Sequence, residues 1–409
     1  MHGSSKAVRL LCAAAVVSTL VPAVTEAQHY LQKNLASDIM QKDNADGSKV
    51  LVDPNLKNPW GLTRSSGSPF WIANNNSGTS SLYSNGSPVT IFPDPPGSTF
   101  DNFIFVPPPK LASPGTSSTP TGIVFNGSPT DFHLDKGTPP GMPALFIFST
   151  EDGTISGWNP NVNVTPGSPR SINAVLEVDN SGNGSPQGAV YKGATSGEVN
   201  GQKLLYVTNF RSGRVEVYDT NFKPVHLGED AFQADGDQDF DDQGSAHIPK
   251  GFAPFNIQNI GGSLFVTYAK QDAARHDPVG GAGLGFVEIF TPTGKHIGHL
   301  EHGPWMNAPW GVVWTPRDFG EFSNTILVGN FRSGWIAAFN GFTHKFIGFL
   351  KNPDDSLVFI DGIWSLTFGN GAAAGPATTL FFTAGINGEN DGLFGTLTPV
   401  QAEQDGDEE

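Results

Sequence analysis

Six divergent copies of one short unit run through this 409-residue chain, and no other feature limits its possible folds as strongly. Each copy opens with a Pro- or Gly-containing turn and continues through two apolar segments, and a tight turn then leads into a third segment that ends in an aromatic residue. The copies begin near residues 58, 119, 185, 253, 308 and 361. Strand-forming units repeated in a fixed order predict an architecture in which every unit packs on its neighbours.

Composition and spacing favour β-structure over helix or disorder. The chain has 50 Gly, 32 Pro and 30 Phe, and its 37% of hydrophobic residues are enough to build a core. A fourth segment follows in two copies, where Lys-His-Ile-Gly-His-Leu at 295–300 matches Lys-Phe-Ile-Gly-Phe-Leu at 345–350. Four strands in each copy, and copies of unequal length, predict an all-β, six-bladed β-propeller over residues 28–399.

Pro-x-Gly turns mark the start of the innermost strand in most copies. The pattern begins at Pro59 in the first copy, at Pro186 in the third, where Gln187 is the middle residue, and at Pro309 in the fifth.

The sixth copy lacks a fourth strand of its own, whereas the segment 29–35 has the length of one. Because an open sheet edge promotes aggregation, we expect this N-terminal strand to join the last blade and close the ring. Residues 400–409 are predicted to be a solvated acidic tail.

The first 27 residues differ from the rest of the chain in charge and hydrophobicity. Lys6 and Arg9 precede an apolar run at residues 10–21, and the small residue Ala27 ends the segment. This layout is typical of a secretory signal peptide, so we expect cleavage near Ala27 and a secreted or otherwise extracytoplasmic protein. The apolar run is too short for a transmembrane helix, which needs roughly 20 residues. The single cysteine, Cys12, lies in this segment, so no disulfide is expected in the mature chain.

A formal net charge of −16 restricts the class of partner. An acidic surface repels phosphate groups, which argues against nucleic acid and anionic membranes as partners. The classes of partner that remain are a protein, a glycan or a small molecule. We expect the chain itself to be monomeric.

The repeat resembles the NHL-type propellers in its Pro-x-Gly-aliphatic turn, its aliphatic-aromatic-Val-Thr-Asn strand and its Gly turn. A closer similarity is to a family of exported NHL-like proteins of unassigned activity, some of which carry a PEP-CTERM-type sorting tail. Four segments carry that similarity: Asn-Pro-Trp-Gly at 58–61, Asn-Ala-Pro-Trp-Gly-Val at 307–312, Leu-Val-Gly-Asn-Phe at 327–331 and Asp-Gly-Ile-Trp-Ser-Leu-Thr-Phe-Gly at 361–369. The sorting tail is absent here, and the resemblance implies the fold while leaving the activity open.

One short motif invites a functional site on a single propeller face. Asn-Phe-Arg-Ser-Gly occurs at 209–213 and 330–334, with Asn-Asn-Asn-Ser-Gly at 74–78 in the same place. In a propeller these turns lie beside the Pro-x-Gly turns, so amide, guanidinium and indole groups should share one rim and bind a ligand there. The predicted ligand-binding residues are Asn74, Asn209, Arg211, Asn330, Arg332, Trp60, Trp310, Trp364 and Asp361. The alternative is structural, since Asn favours such turns and a repeated Arg can brace neighbouring blades.

Two segments contain clustered side chains that could bind a metal ion. Alternating carboxylates suggest a loose calcium site at Asp235, Asp237, Asp239 and Asp241. An EF-hand is excluded, because Phe240 stands where that loop needs Gly and Ala246 where it needs Glu. Histidines also crowd residues 296–302, but strict strand alternation would turn His296 and His299 to opposite faces, which favours simple packing or surface positions.

Two functions remain open. The first is a binding or interaction scaffold that uses one propeller face, with no catalytic residue assigned. The alternative is a calcium-dependent lactonase or gluconolactonase-like hydrolase at the central channel, where Asn74, Asn209 and Asn330 would supply amide oxygens and Asp361 a carboxylate. Acids are scarce at the other strand starts, since the middle positions of the turns are occupied by Trp60, Thr121, Gln187, Phe255 and Trp310.

Overall fold

The computed structural model describes residues 29–400 apart from 85–89, 92–102, 167–169, 183–186 and 234–247. Six antiparallel sheets form a six-bladed β-propeller, as the repeats predict. The predicted leader (1–27), the carboxylates at 235–241 and residues 401–409 of the acidic tail lie outside the described residues. Among the described residues, no helix has both the length and the apolar character needed to cross a membrane.

Each blade is a meander that begins with its innermost strand. Blade 1 contains Pro59–Thr63, Phe70–Asn74, Thr79–Ser84 and the outer strands Thr90–Ile91 and Phe103–Phe105. Blade 2 contains Pro120–Phe125, Phe146–Thr150, Thr154–Trp158 and Val175–Asp179, with a separate pair His133–Leu134 and Met142–Pro143. Blade 3 contains Tyr191–Val199, Gln202–Asn209 and Arg214–Tyr218.

The second half of the chain continues the same order. Blade 4 contains Phe252–Ile260, Ser263–Gln271, Gly285–Phe290 and His296–His299, with Pro278–Val279 paired to its second strand. Blade 5 contains Pro309–Trp314, Thr325–Asn330, Ile336–Asn340 and Phe346–Phe349, and blade 6 contains Ile363–Phe368, Leu380–Ala384 and Leu393–Val400. A short 3-10 turn spans Gly320–Phe322, and one helical turn spans Ile386–Glu389.

The ring is closed by an N-terminal strand, which confirms the expectation from sequence. His29–Ser37 pairs antiparallel with Leu393–Val400, from His29 opposite Val400 to Ser37 opposite Leu393, and Leu51–Val52 adds a further edge strand. The last blade therefore combines strands from both ends of the propeller. Tyr30 extends this closure to blade 5, because its hydroxyl donates to the carbonyl oxygen of Phe319 at 2.9 Å.

The same hydrogen bond defines one face of the ring in every blade. The backbone N–H of the residue at the end of the second strand, or directly after it, donates to the carbonyl oxygen of the residue directly before the innermost strand, over 2.8 to 3.1 Å. The donor and acceptor residues are Asn75 and Asn58, Glu151 and Thr119, Phe210 and Val190, Gln271 and Gly251, Phe331 and Ala308, and Gly385 and Gly362. We call this side of the propeller the upper face. It gathers six turns between second and third strands around the mouth of the central channel.

Each innermost strand carries a β-bulge at its start. The pairing gains one extra residue on the innermost strand in all six blades, next to Pro59, Pro120, Tyr191, Pro254, Pro309 and Ile363. A bulge re-aims the side chain of the inserted residue. The middle residue of each turn is thereby directed towards the axis.

This register corrects the sequence assignment in blade 3. Tyr191 lies opposite Asn209, as Pro59 lies opposite Asn74 and Pro309 opposite Asn330. The residue that faces the axis in blade 3 is consequently Lys192 and not Gln187, which lies five positions earlier in the chain. The sequence pattern failed here because this blade uses Tyr191 where its neighbours use proline.

Glycine follows the axial residue in four blades because the innermost strands nearly touch there. A methyl group on Gly61 would lie 2.4 Å from the carbonyl oxygen of Thr121 in the next blade, and one on Gly311 would lie 2.5 Å from that of Trp364. Real Cβ atoms do not approach carbonyl oxygens so closely, so these glycines set the diameter of the ring.

Gly61→Ala should therefore destabilise the protein by about 1–3 kcal/mol, the usual cost of overpacking a closely packed core. Gly67→Ala is the matched control, because a methyl group at Gly67 meets no atom within 4 Å. Urea denaturation of the two variants measures the difference in free energy of unfolding. Equal midpoints would contradict the idea that close strand contact requires Gly61.

Candidate functional site at the channel mouth

Aromatic side chains fill the centre of the propeller beneath the upper face. We call this group the aromatic plug: Trp60, Phe210, Phe255, Trp310, Phe331 and Trp364. Trp60 stacks on Trp364 with ring centroids 3.6 Å apart, and Phe331 stacks on the other side at 3.9 Å. Trp310 meets both indoles edge-on, at 6.1 and 5.9 Å. The plug closes the channel with apolar surface.

The indoles consequently do not rim an open face, as the sequence suggested. Trp60, Trp310 and Trp364 are at most 3% exposed. The Nε1 atom of Trp310 donates to the carbonyl oxygen of Lys192 at 3.0 Å, and that of Trp364 donates to Oδ1 of Asn58 at 2.9 Å. The bulges turn these side chains inwards, where they pack against each other and cannot stack on a ligand.

The three predicted asparagines are buried and form hydrogen bonds within their own blades. Asn74 donates to Thr79 Oγ1 at 3.0 Å and to Ser81 Oγ at 2.8 Å. Asn209 donates to Glu216 Oε1 at 2.7 Å, and Asn330 accepts the backbone N–H of Asn307 at 2.8 Å. These contacts match the structural alternative for Asn in the repeated motif.

The predicted charged residues lie on the upper face. Arg332 of blade 5 donates from Nε and Nη2 to the carbonyl oxygen of Pro278 in blade 4, at 3.2 and 3.0 Å, and therefore braces two blades. Arg211 donates to the carbonyl oxygen of Gly188 at 2.7 Å, within its own blade. Asp361 accepts the backbone N–H of Asn387 at 2.9 Å and so holds the loop that carries Glu389.

A buried lysine lies at the mouth of the channel, directly above the plug. The side chain of Lys192 is 0% exposed, and its ammonium group forms ion pairs with Glu151 and, at 3.4 Å, with Asp277. The same ammonium lies 5.1 Å from the ring centroid of Trp60, a cation–π distance. Asn75 donates to the second oxygen of Glu151 at 2.7 Å. We call Lys192, Glu151, Asp277 and Glu389 the mouth cluster.

The pKa values of two acids in the mouth cluster are shifted in opposite directions. The hydrogen bond from His276 lowers the pKa of Asp277, and the charge of Lys192 lowers it further. Burial raises the pKa of Glu389, and the negative charge of Glu151 adds to this shift. The acids outnumber the cations here, so Lys192 is the central charge that holds them together.

Glu389 is held by an unusual backbone. Asn387, Gly388 and Glu389 have φ angles of 55°, 65° and 69°, a run of left-handed residues of which only one is glycine. Asn58 donates to the carboxylate of Glu389 at 3.2 Å. Left-handed non-glycine residues cost free energy and cluster at functional sites. The loop thus directs a partly buried acid towards the mouth at an energetic cost.

A pocket of about 300 Å³ opens on the upper face between blades 3 and 4. We call it the arginine pocket, and its lining is Gln187, Gly188, Asn209, Arg211, Ser212, Ala273, Ala274 and Arg275. It contains two of the predicted residues, Asn209 and Arg211. Buried Nε of Arg211 has no hydrogen-bond partner among the described residues. His276 and Asp277 follow Arg275 directly, so the pocket borders the mouth cluster.

Sequence reasoning missed all four residues of the mouth cluster. Lys192 was hidden by the incorrect register in blade 3, and Glu151, Asp277 and Glu389 come from turns that share no motif. The sequence signal that could have found Asp277 and Glu389 is the length of the loops after the second strands of blades 4 and 6, because these loops reach the mouth of the channel.

The fold and the site define a class: a six-bladed propeller with a plugged channel and a charged mouth. No family model matches the chain. Uncharacterized protein R648 of Acanthamoeba polyphaga mimivirus is 30% identical over 366 residues, which cover 88% of this chain and 79% of R648. The chain therefore belongs to the same family as R648. Uncharacterized protein R640 of the same virus is 31% identical over 274 residues, and the chain spans about half of its length, 46%.

Solved structures share the propeller fold at low identity. A streptogramin B lyase matches with a TM-score of 0.47 and 12% identity, over 91% of this chain and 99% of that one. A structure described as a gluconolactonase matches with a TM-score of 0.37 and 14% identity, over 72% and 92%. These similarities concern the fold alone.

Proposed function

We propose that this protein is an exported propeller scaffold that binds a ligand through the arginine pocket on its upper face. The observation that carries the proposal is the pocket of about 300 Å³ bordered by two guanidinium groups, Arg211 and Arg275. The basic and apolar pattern of residues 1–27 supports export and cleavage near Ala27. The repeat pattern supports a place among the NHL-like propellers as part of the same proposal.

The lining of the pocket indicates the chemistry of the ligand. Guanidinium groups are donors without acceptor capacity, and Gln187 and Ser212 add an amide and a hydroxyl. A planar guanidinium recognises carboxylate groups well. A carboxylate-bearing ligand, such as a sugar acid, a glycan with an acidic residue or the acidic group of a protein partner, is the best match.

A calcium-dependent lactonase receives less support from this geometry. The amide oxygen of Asn330 accepts the backbone N–H of Asn307, and that of Asn209 accepts the backbone N–H of Ser212. Of the three amide oxygens, that of Asn74 alone has no hydrogen-bond partner among the described residues, so the three do not form a shared ligand set. Lys192 places its ammonium group among the acids of the mouth, where a calcium ion would meet electrostatic repulsion. Glu151 and Asp277 are already paired with this ammonium group.

Arg211→Ala should weaken binding of a carboxylate ligand by about 10- to 100-fold, the usual worth of a charged hydrogen bond. The measurement is calorimetric titration with a panel of sugar acids, acidic oligosaccharides and acidic peptides. Arg214→Ala is the matched control, since Arg214 is an exposed arginine on the same hairpin outside the pocket.

Two results would contradict the proposal. One is equal affinity of both variants and the natural protein for every binding member of the panel, or the absence of any binding. The other is stoichiometric calcium in purified protein together with turnover of lactones above the spontaneous rate, which would favour the hydrolase.

A further inference from the structure

A second polar cluster lies at the outer edge of blade 4, away from the channel mouth. Glu288, on the third strand, and His296 and His299, on the fourth, offer ligand atoms that all lie within 4.8 Å of one another. The imidazole Nε2 of His296 is 2.6 Å from a carboxylate oxygen of Glu288. The three residues thus form a compact set of two nitrogen ligands and one carboxylate.

A bulge brings the two histidines to the same side of the sheet. Phe290 pairs with His296, but Ile289 pairs with Gly298, so Ile297 is an extra residue in the outer strand. Strict alternation would have separated the two imidazoles, and the sequence expectation that they face opposite ways is wrong for this reason. The shift places His299 opposite Glu288.

Glu288 is an unusual residue for its position. All six residues of the strand Gly285–Phe290 are buried, and the carboxylate side chain of Glu288 is only 2% exposed. Burial of a charged group is costly unless a strong partner compensates it. The imidazole of His296, 19% exposed, stands between this acid and solvent.

Blade 5 contains the same structure without the polar groups. Its outer strand has the same bulge, with Phe339 opposite Phe346 and Ala337 opposite Phe349. The two outer segments, 295–300 and 345–350, are identical except that both histidines of blade 4 are phenylalanines in blade 5. The position of Glu288 is taken by Ala337. Three apolar side chains therefore fit at these positions of the fold. Blade 4 differs from blade 5 at all three of them.

We propose that Glu288, His296 and His299 bind a divalent transition metal, with Zn²⁺ as the best fit. Two imidazoles and a carboxylate form a ligand set that zinc uses with the fourth position open. With bonds of about 2.0–2.1 Å, tetrahedral ligand atoms lie roughly 3.4 Å apart, so small side-chain rotations bring the present set into place. The metal would also neutralise the buried carboxylate, which explains an acid in an apolar strand.

The test uses the full mature chain without an affinity tag, freed of metal with a chelator. Zinc is titrated against a competing chromophoric chelator, and Co²⁺ replaces it for visible absorption spectroscopy. We expect one zinc equivalent that depends on these residues and the intense absorption of four-coordinate cobalt. A natural protein that binds neither metal would overturn the proposal.

The variants follow from the comparison between blades. Glu288→Ala, His296→Phe and His299→Phe together install the apolar set of blade 5, and circular dichroism checks that the variant is folded. This variant should lose the zinc equivalent, and His299→Phe alone should lower affinity by more than the roughly 10- to 100-fold typical of an outer-shell change. His226→Ala is the control, because His226 is distant in sequence from the three proposed ligands and its side chain is 72% exposed.

A reciprocal graft and a second control complete the design. Ala337→Glu, Phe346→His and Phe349→His in blade 5 should add a second equivalent of zinc. His276→Ala should leave binding unchanged, although Glu151, His276 and Asp277 form the other group of potential ligands among the described residues. Zinc binding that survives in the triple blade 4 variant, or that disappears in His276→Ala, would overturn the assignment.

Discussion

A chain that starts at residue 38 should fail to form a stable propeller. This truncation removes the closing strand His29–Ser37 and leaves Leu393–Val400 as an open, largely buried edge. Exposed edges of this kind recruit other strands and promote aggregation. We expect loss of the cooperative urea transition and oligomers in size-exclusion chromatography. A truncated protein that is monomeric and melts like the intact one would contradict the closure.

A point variant measures the same closure in a protein that still folds. Tyr30 is fully buried, packs its ring against that of Phe319 with centroids 4.8 Å apart, and accepts the backbone N–H of Phe322 at 3.2 Å. Tyr30→Ala should lower the free energy of unfolding by about 3–5 kcal/mol, as for other large aromatic truncations. Leu31→Ala is the control on the neighbouring residue, since Leu31 is 43% exposed.

Lys192→Met should lower the free energy of unfolding by about 3–5 kcal/mol, the usual cost of removing one partner from a buried ion pair. The variant keeps the length and apolar stem of the side chain but leaves Glu151, whose side chain is 11% exposed, without its ammonium partner. The nearby acids Asp277 and Glu389 then add repulsion. Urea denaturation at constant pH gives the change in free energy.

Two further variants separate the ion pair from general packing. Lys192→Met combined with Glu151→Gln should recover part of the loss, because the buried negative charge is gone. Lys345→Met should change stability by less than about 0.5 kcal/mol, as expected of an exposed pair. The side chain of Lys345 is 61% exposed, and its ammonium group lies 3.5 Å from Glu301. A loss below 1 kcal/mol for Lys192→Met, or no recovery in the double variant, would contradict this role of the mouth cluster.

The repeats predicted the fold because strand patterns and turns are local properties of the sequence. The six copies and the closing strand could be read from apolar segments separated by Gly and Pro. The register in blade 3 could not, since the sequence offers Pro186 as the marker while the pairing places Tyr191 there. The choice depends on contacts between distant strands, which no local pattern encodes.

The direction of side chains was predicted least well, and bulges are the physical reason. A single inserted residue turns Trp60 and Lys192 towards the axis and puts His296 and His299 on one face. Alternation of side chains is the only guide that a sequence provides, and one bulge reverses it from that point onwards. The predicted residues Asn209 and Arg211 line the arginine pocket, whereas no residue of the mouth cluster was predicted.

The pairing of His29 with Val400 has a practical consequence for experiments. The third strand of blade 6 starts at the upper face and runs away from it, so the two ends of the propeller meet side by side at the opposite face. A surface anchor or fluorophore attached at either end would leave the pocket pointing outwards. A short linker between the two ends would permit circular permutants opened between any two blades, each with the same ring and a new cut point.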